Sequence, residues 1–339
     1  MKLYSNEIVF RGHPDKVCDQ ISDAILDECL KGDKSSRCGI EVVGGKGKIF
    51  ITGEVTTNSK LDIKSITKRV LEDIGYETNY EIIDNLGKQS QDIALGTNDN
   101  VNGAGDNGMM FGYACNDNDK YLPTAQVILQ ELSKKYDELR KKDSRFKPDG
   151  KAQITGYYEN NKIKKIKTLT ICYQNTEIER EETDNILKEI AINICKKYNL
   201  EIEEFLINPT GRFEIGGFVG DAGLTGRKIV VDSYQSFANV GGGAFSGKDP
   251  SKVDRSGAYK AREIAKRIIK ENNYEWCEVQ LSYAIGCTEP LAIYIKTNEG
   301  DIEVPKNLYE ECKPLNIIND LNLKNICYEE LARFGHFTN

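Results

Sequence analysis

One order of elements recurs three times along this 339-residue chain, and that recurrence limits the folds open to it more than any single motif. Val17, Ile21, Ala24, Ile25 and Cys29 recur at helical spacing, and Gly32 stops the run. Two β-rich runs follow, 38–43 and 49–57, joined by the turn Gly44-Gly45-Lys46-Gly47. A second helix carries Ile63, Ile66, Val70, Leu71 and Ile74 and ends at Gly75. The order returns as a helix through Ala125, Ile128, Leu129, Leu132 and Tyr136, then a hairpin (152–158 and 163–173) across Asn160-Asn161, then a helix through Ile186, Ile190 and Ile194. The third round has a helix through Ala258, Ala261, Ala265 and Ile269, strands over 278–285 and 291–296, and a weaker helix over 308–312. Units of this length are too long for solenoid repeats and predict three similar α+β domains.

A glycine-bearing polar segment precedes the first helix of each round. These are Gly12-His13-Pro14-Asp15-Lys16, Gly103-Ala104-Gly105-Asp106-Asn107-Gly108, and 241–254, which contains Ala244, Lys248, Lys252 and Asp254. Glycine lets backbone approach a ligand, and a helix N-terminus offers free N–H groups to an anion. The third segment nearly matches a P-loop through Gly242, Gly247 and Lys248, but Asp249 stands where Ser or Thr should hold Mg²⁺. Lys248 and Lys252 still favour a polyphosphate, and Asp254 offers oxygen to a hard cation. Arg227 and Lys228 open the apolar run 229–231, read as a strand. Their side chains then point to opposite faces unless the chain bends at Gly226, which leaves a ligand-binding pair and a solvated pair both open. His13 lies in a charged cluster able to tune its protonation, whereas His336, near the end of the chain, reads as structural or frayed.

Charge and cysteine usage narrow the partners. A net charge of −7 argues against broad nucleic-acid binding, so any anionic ligand needs a local basic site. The first residues lack the apolar core of a signal peptide, and no run approaches the roughly eighteen apolar residues of a membrane span. Cytoplasmic residence without a membrane partner is the expectation. The ten cysteines stand singly with no CxxC pair, which reads as reduced thiols used in cores.

Taken together, these segments resemble the S-adenosylmethionine synthetases. The likeness includes Gly53-Glu54-Val55-Thr56-Thr57, Gly87-Lys88-Gln89-Ser90, Asn208-Pro209-Thr210-Gly211-Arg212-Phe213, 220–232, Ser282-Tyr283-Ala284-Ile285-Gly286 and Gly335-His336-Phe337, and it spans nearly the whole chain in order. The resemblance implies three structurally similar, interleaved α+β domains with approximate threefold pseudosymmetry, over sequence segments 1–97, 103–215 and 217–339. It implies a homodimer or homotetramer with active sites shared between subunits. The implied reaction joins the sulfur of L-methionine to C5′ of ATP, and the released triphosphate is hydrolysed to pyrophosphate and phosphate.

Carried over position by position, the resemblance puts His13 at the bridging oxygen and phosphates. Lys151, Arg227, Lys228 and Lys248 bind triphosphate, with Asp149 beside Lys151. Arg212, Phe213 and Ala244 meet the nucleoside. Glu54 takes the methionine ammonium and Lys252 its carboxylate, while Asp221 contacts both methionine and nucleoside and Asp106 sits near the sulfur. Asp15 and Asp254 hold Mg²⁺, two ions per site, and Glu41 holds K⁺. The segment 93–102 matches a gating loop that is longer in the family, and Leu95 stands where a methionine-contacting Gln is usual. That departure raises an alternative, a paralogue using a different thioether amino acid or nucleotide.

Overall fold

The computed structural model describes residues 1–90, 101–176 and 180–337. Leu95 and most of the gating segment lie outside them. The first round builds α1 (Pro14–Gly32), the hairpin β2 (Arg37–Gly45) and β3 (Lys48–Thr56), α2 (Ile63–Ile74) and β4 (Glu81–Gly87). The second builds α3 (Thr124–Arg140), β6 (Phe146–Glu159), β7 (Lys162–Asn175), α4 (Glu181–Lys196) and β8 (Ile202–Ile207). In both, the last strand pairs parallel to the second hairpin strand, β4 on β3 and β8 on β7. The third builds α7 (Val253–Asn272), β10 (Trp276–Tyr283), β11 (Ala292–Thr297), β12 (Gly300–Asp301) and α8 (Lys306–Glu311). Residues with positive φ close the first two hairpins, Lys46–Gly47 and Asn160–Asn161, as two-residue turns between twisted strands require.

Each four-stranded sheet is completed by a strand from a distant part of the chain. β1 (Lys2–Val9) runs antiparallel to β6, β5 (Gly108–Cys115) to β10, and the short β9 (Gly223–Leu224) to β2. The added strand always flanks the first strand of the hairpin, giving the orders β4-β3-β2-β9, β1-β6-β7-β8 and β12-β11-β10-β5. No sheet is therefore built from one sequence segment alone. Three apolar clusters sit between these sheets and their helices, one centred on Ile21, Ile40, Ile51 and Val70, one on Leu129, Ile154 and Leu169, and one on Ala261, Val279 and Leu281. Seven of the ten cysteines are buried and all are free thiols.

Sequence periodicity located the long helices and the hairpins but missed β1, β4, β5 and β8 and the short helices Pro314–Asp320 and Tyr328–Phe334. β1, β4 and β8 are edge strands with one partner each, and their apolar pattern is weak. The run expected as a strand at 229–231 is instead one helical turn, Ile229–Asp232 (α6; the turn Gly217–Gly220 is α5). Gly226 is the cause. It adopts φ 80°, and a Cβ there would lie 2.5 Å from Cβ of Ala244, so the chain turns sharply before Arg227.

α1 is buried all round as far as Leu26. Its apolar face packs into the first core, while Lys16, Asp19, Gln20, Ser22 and Asp23, at most 1% exposed, face other parts of the chain. Asp15, Asp19, Asp23 and Asp27 lie four residues apart, so they form one stripe along the helix. Four like charges in a row require partners, and each has them. Asp15 accepts from the Leu224 amide (3.0 Å), Asp19 from Gly226 (2.9 Å), Asp23 from Gly247 (2.8 Å) and Asp27 from Tyr328 and Glu329 (2.9 Å each). The last pair caps α10 (Tyr328–Phe334), which follows α9 (Pro314–Asp320). The stripe is thus the spine on which the 224–247 region and the C-terminal helix are hung.

Beyond α10, His336 is 6% exposed and its ring lies against Phe245. Burial, with the nearby charges of Arg255 and Lys16, holds its imidazole well below the usual histidine range. It folds neutral, so below pH 6.5 the unfolded chain takes up a proton that the folded chain refuses. Stability should fall with acid by up to about 1.4 kcal/mol per pH unit. Melting of His336→Phe against wild type at pH 6.5 and 5 checks this: the variant should lose up to about 2 kcal/mol less over that interval, and parallel losses would contradict it.

Candidate active site

The first cluster forms where α1 begins. His13 is its N-cap: Nδ1 accepts the amide of Asp15 at 3.2 Å, and Pro14 supplies the preset φ of a first helical residue. With Nδ1 accepting, the proton of the neutral ring sits on Nε2. The ring is neutral because burial, then the positive charges of Lys228 and Lys151, outweigh Asp15 and push its pKa down to about 4. Arg227 and Lys228, expected on opposite faces of a strand, both turn onto Asp15, at 3.6 Å and 2.5 Å. The bend at Gly226 is what allows this. Burial opposes ionisation of Asp15, yet the bonds from Lys228 and Leu224 hold its carboxyl below the usual range.

Three more expected residues lie beside this group. Lys151 is an exposed side chain on β6, opposite Val9 of β1, and its charge acts on both His13 and Asp149. Asp149 is buried, accepts the Gly217 amide at 2.8 Å and is raised to about 6, mainly by burial. Asp221 is exposed and its charge acts on the same two groups. Arg212 and Phe213 lie farther along: Arg212 pairs with Glu214 at 2.9 Å, and the Phe213 carbonyl accepts from the Asn175 amide at the end of β7. An open cleft of about 530 Å³ borders Arg227 and Lys228, with Ser5, Glu7, Gln153 and Gln235 on its walls.

The second cluster gathers around the start of α7. Lys248 pairs with Asp254, and Lys252 lies 3.3 Å from Asp249 and 3.9 Å from Glu54. Glu54 is opposite Gly39 in the β2–β3 register, so it shares the outer face of the sheet with Glu41. Burial pushes the Glu41 carboxyl up while the charge of Lys248 opposes it. Asp106 is exposed, and Gly105 next to it bonds the Ser251 carbonyl at 3.1 Å, which sets the 103–108 segment against Lys252. Ala244 packs against Gly226, the point where the two clusters adjoin. Among the described residues, no hydrogen bond or ion pair joins His13, Asp15, Arg227 or Lys228 to Lys248, Lys252 or Asp254.

The P-loop likeness fails on structure as well as sequence. Asp249, fully buried, accepts the Cys38 amide at 2.8 Å and the Ser251 amide at 2.9 Å. It staples the loop to β2. Sequence reasoning also missed Asp19, Asp23, Asp232 and Arg255, which hold the clusters from below. For Asp19 and Asp23 the four-residue aspartate spacing was the available signal.

The donor sets suit magnesium that shares its ligands with a substrate. Among the described residues no group of three or more His, Cys, Asp or Glu could hold a metal. Asp15 and Asp254 instead each offer a single carboxylate already balanced by a lysine. Magnesium on a nucleotide commonly takes one or two carboxylates plus phosphate oxygens, so the residues fit.

Lysines and arginines around lone carboxylates, on a threefold α+β frame, define an enzyme that handles a polyphosphate. The comparisons name which. Three family models match in succession: the S-adenosylmethionine synthetase N-terminal domain over residues 1–92, the central domain over 101–213 and the C-terminal domain over 215–339. The chain belongs to the S-adenosylmethionine synthetase family. The S-adenosylmethionine synthase of Clostridium tetani is 41% identical over 367 aligned residues, covering 99% of this chain and 94% of that protein. That of Finegoldia magna is 42% identical over 364, covering 98% and 93%. Both alignments are longer than the chain, so the relatives carry residues it lacks. No helix among the described residues is long and apolar enough to cross a membrane.

Proposed function

We infer that this protein makes S-adenosyl-L-methionine from ATP and L-methionine in the cytoplasm. The observation that carries the reading is His13, a buried neutral imidazole whose donor nitrogen has no hydrogen-bond partner among the described residues, beside Lys151, Arg227 and Lys228. The thioether sulfur of methionine carries no proton, so its attack on C5′ of ATP needs no base. The C5′–oxygen bond breaks as the carbon–sulfur bond forms, and negative charge grows on the departing triphosphate. His13 donates from Nε2 to the oxygen that leaves, and the cations steady the phosphates; such preorganised donors act most where charge develops. Lys252 and Glu54 take the two charged ends of methionine, Asp106 faces the nascent sulfonium, and Asp221 contacts methionine and the nucleoside. Phe213, with Arg212 and Ala244 nearby, receives the adenosine. Asp15 and Asp254 would each hold Mg²⁺ and Glu41 would hold K⁺, neutralising phosphate charge.

Among the described residues, no hydrogen bond or ion pair joins the two clusters within one chain. A second copy is therefore proposed to bring its Lys248 cluster to the His13 cluster of the first, giving a homodimer or a pair of dimers.

Purified protein with ATP, methionine, Mg²⁺ and K⁺ should yield S-adenosylmethionine, pyrophosphate and phosphate; release of ADP would overturn the reading. In Asp15→Asn, half-maximal activity should require at least about tenfold more Mg²⁺, because a neutral amide is a poorer ligand for a hard cation. An unshifted Mg²⁺ titration would remove Asp15 from the ligand set.

A further inference from the structure

The loop that carries Lys248 rests on a closed ring of buried hydrogen bonds, and the C-terminal His336 completes it. Arg255, fully buried, grips Asp23 through both terminal nitrogens, at 2.8 and 2.6 Å. The same guanidinium donates to the Lys248 carbonyl at 3.0 Å and, through Nε, to the Tyr259 hydroxyl at 3.2 Å. That hydroxyl, already accepting, gives its own proton to Nδ1 of His336 at 2.8 Å. Nε2 of His336 then carries the hydrogen and faces Ser246 Oγ at 3.5 Å. Asp23 returns to the loop through the Gly247 amide at 2.8 Å. Ser246, Gly247 and Lys248 are thus held in succession by His336, Asp23 and Arg255.

His336 also faces the other cluster. Its amide donates to the Asp232 carbonyl at 3.3 Å, and the Asp232 carboxylate pairs with buried Lys16, one residue after Asp15. Gly335 reaches this position with φ 101°, and Phe337 stacks on Tyr234 at 4.9 Å.

We propose that His336 is a positioning residue: through Tyr259 and Ser246 it fixes the loop that aims Lys248 at the phosphates, and through Asp232 it ties that loop to the end of α1. The proposal rests on the assignment of Lys248 to the triphosphate.

Inorganic tripolyphosphate with Mg²⁺ is the probe, titrated calorimetrically into the full chain and into the variants Tyr259→Phe, His336→Phe and Lys248→Ala, alongside thermal melts and KM for methionine. Tyr259→Phe removes one hydroxyl at almost constant volume. It should stay folded but melt somewhat below wild type, because buried Arg255 and His336 each lose a partner, bind tripolyphosphate about tenfold more weakly, equivalent to about 1.4 kcal/mol, and leave KM for methionine within about twofold. His336→Phe should weaken binding as much or more. If His336→Phe does not fold, Tyr259→Phe decides alone. Wild-type tripolyphosphate binding by a folded Tyr259→Phe, with Lys248→Ala impaired, overturns the positioning role only. Unchanged binding by Lys248→Ala overturns the loop assignment and the proposal with it.

Discussion

Replacing His13 by Ala should slow formation of the sulfonium by about three orders of magnitude while ATP affinity falls less than about tenfold. The asymmetry follows from when the charge appears. In the bound nucleotide the bridging oxygen is an ester oxygen and asks little of a donor; as the carbon–oxygen bond breaks it takes up charge, and a preset N–H then counts most. The ring is fixed by two constraints already in place, the Asp15 amide on Nδ1 and burial that leaves it unprotonated near neutral pH. Ala also removes a helix cap, worth about 1 kcal/mol. His13→Asn supplies the control, because its carbonyl can still accept the Asp15 amide. It should recover the stability without recovering the rate. Rapid-quench measurement of S-adenosylmethionine formation beside equilibrium ATP binding separates the two effects, and matching losses in both would remove His13 from the leaving-group role.

The largest loss of stability is expected at Arg255. Its pairing with Asp23 is completely buried, 0% exposed on both side chains. Arg255→Met should cost about 3–5 kcal/mol, because Asp23 is left charged in a site water cannot reach. The double variant Asp23→Leu/Arg255→Met should regain much of that stability. It should not regain activity, since the Gly247 amide and the Lys248 carbonyl lose their partners. Denaturant melts and turnover of the three proteins would test this. A double variant that is fully active would show that the buried pair serves the fold alone.

The residues that touch substrates and the residues that aim them were not equally legible. His13, Asp15, Lys248 and Asp254 stood out because glycine and proline mark the segments that hold them. The staples below were hidden: Asp249 was read only as a departure from the P-loop pattern, and Asp23 and Arg255 drew no reading at all. Arg227 and Lys228 show the limit most plainly. Local pattern gave them opposite faces of a strand unless the chain bent at Gly226, and the positive φ of that glycine put both on Asp15.

From sequence alone came the long helices, the hairpins, their threefold order and the chemistry of the glycine-bearing segments, because periodicity and turn residues act between neighbours in the chain. Only the tertiary structure decided that β1, β5 and β9 complete sheets begun elsewhere, and that the aspartate stripe of α1 carries the 224–247 region and the C-terminal helix. Those pairings join residues up to some three hundred positions apart, where no local rule of spacing operates and only the need to partner buried charges and open strand edges selects the contact.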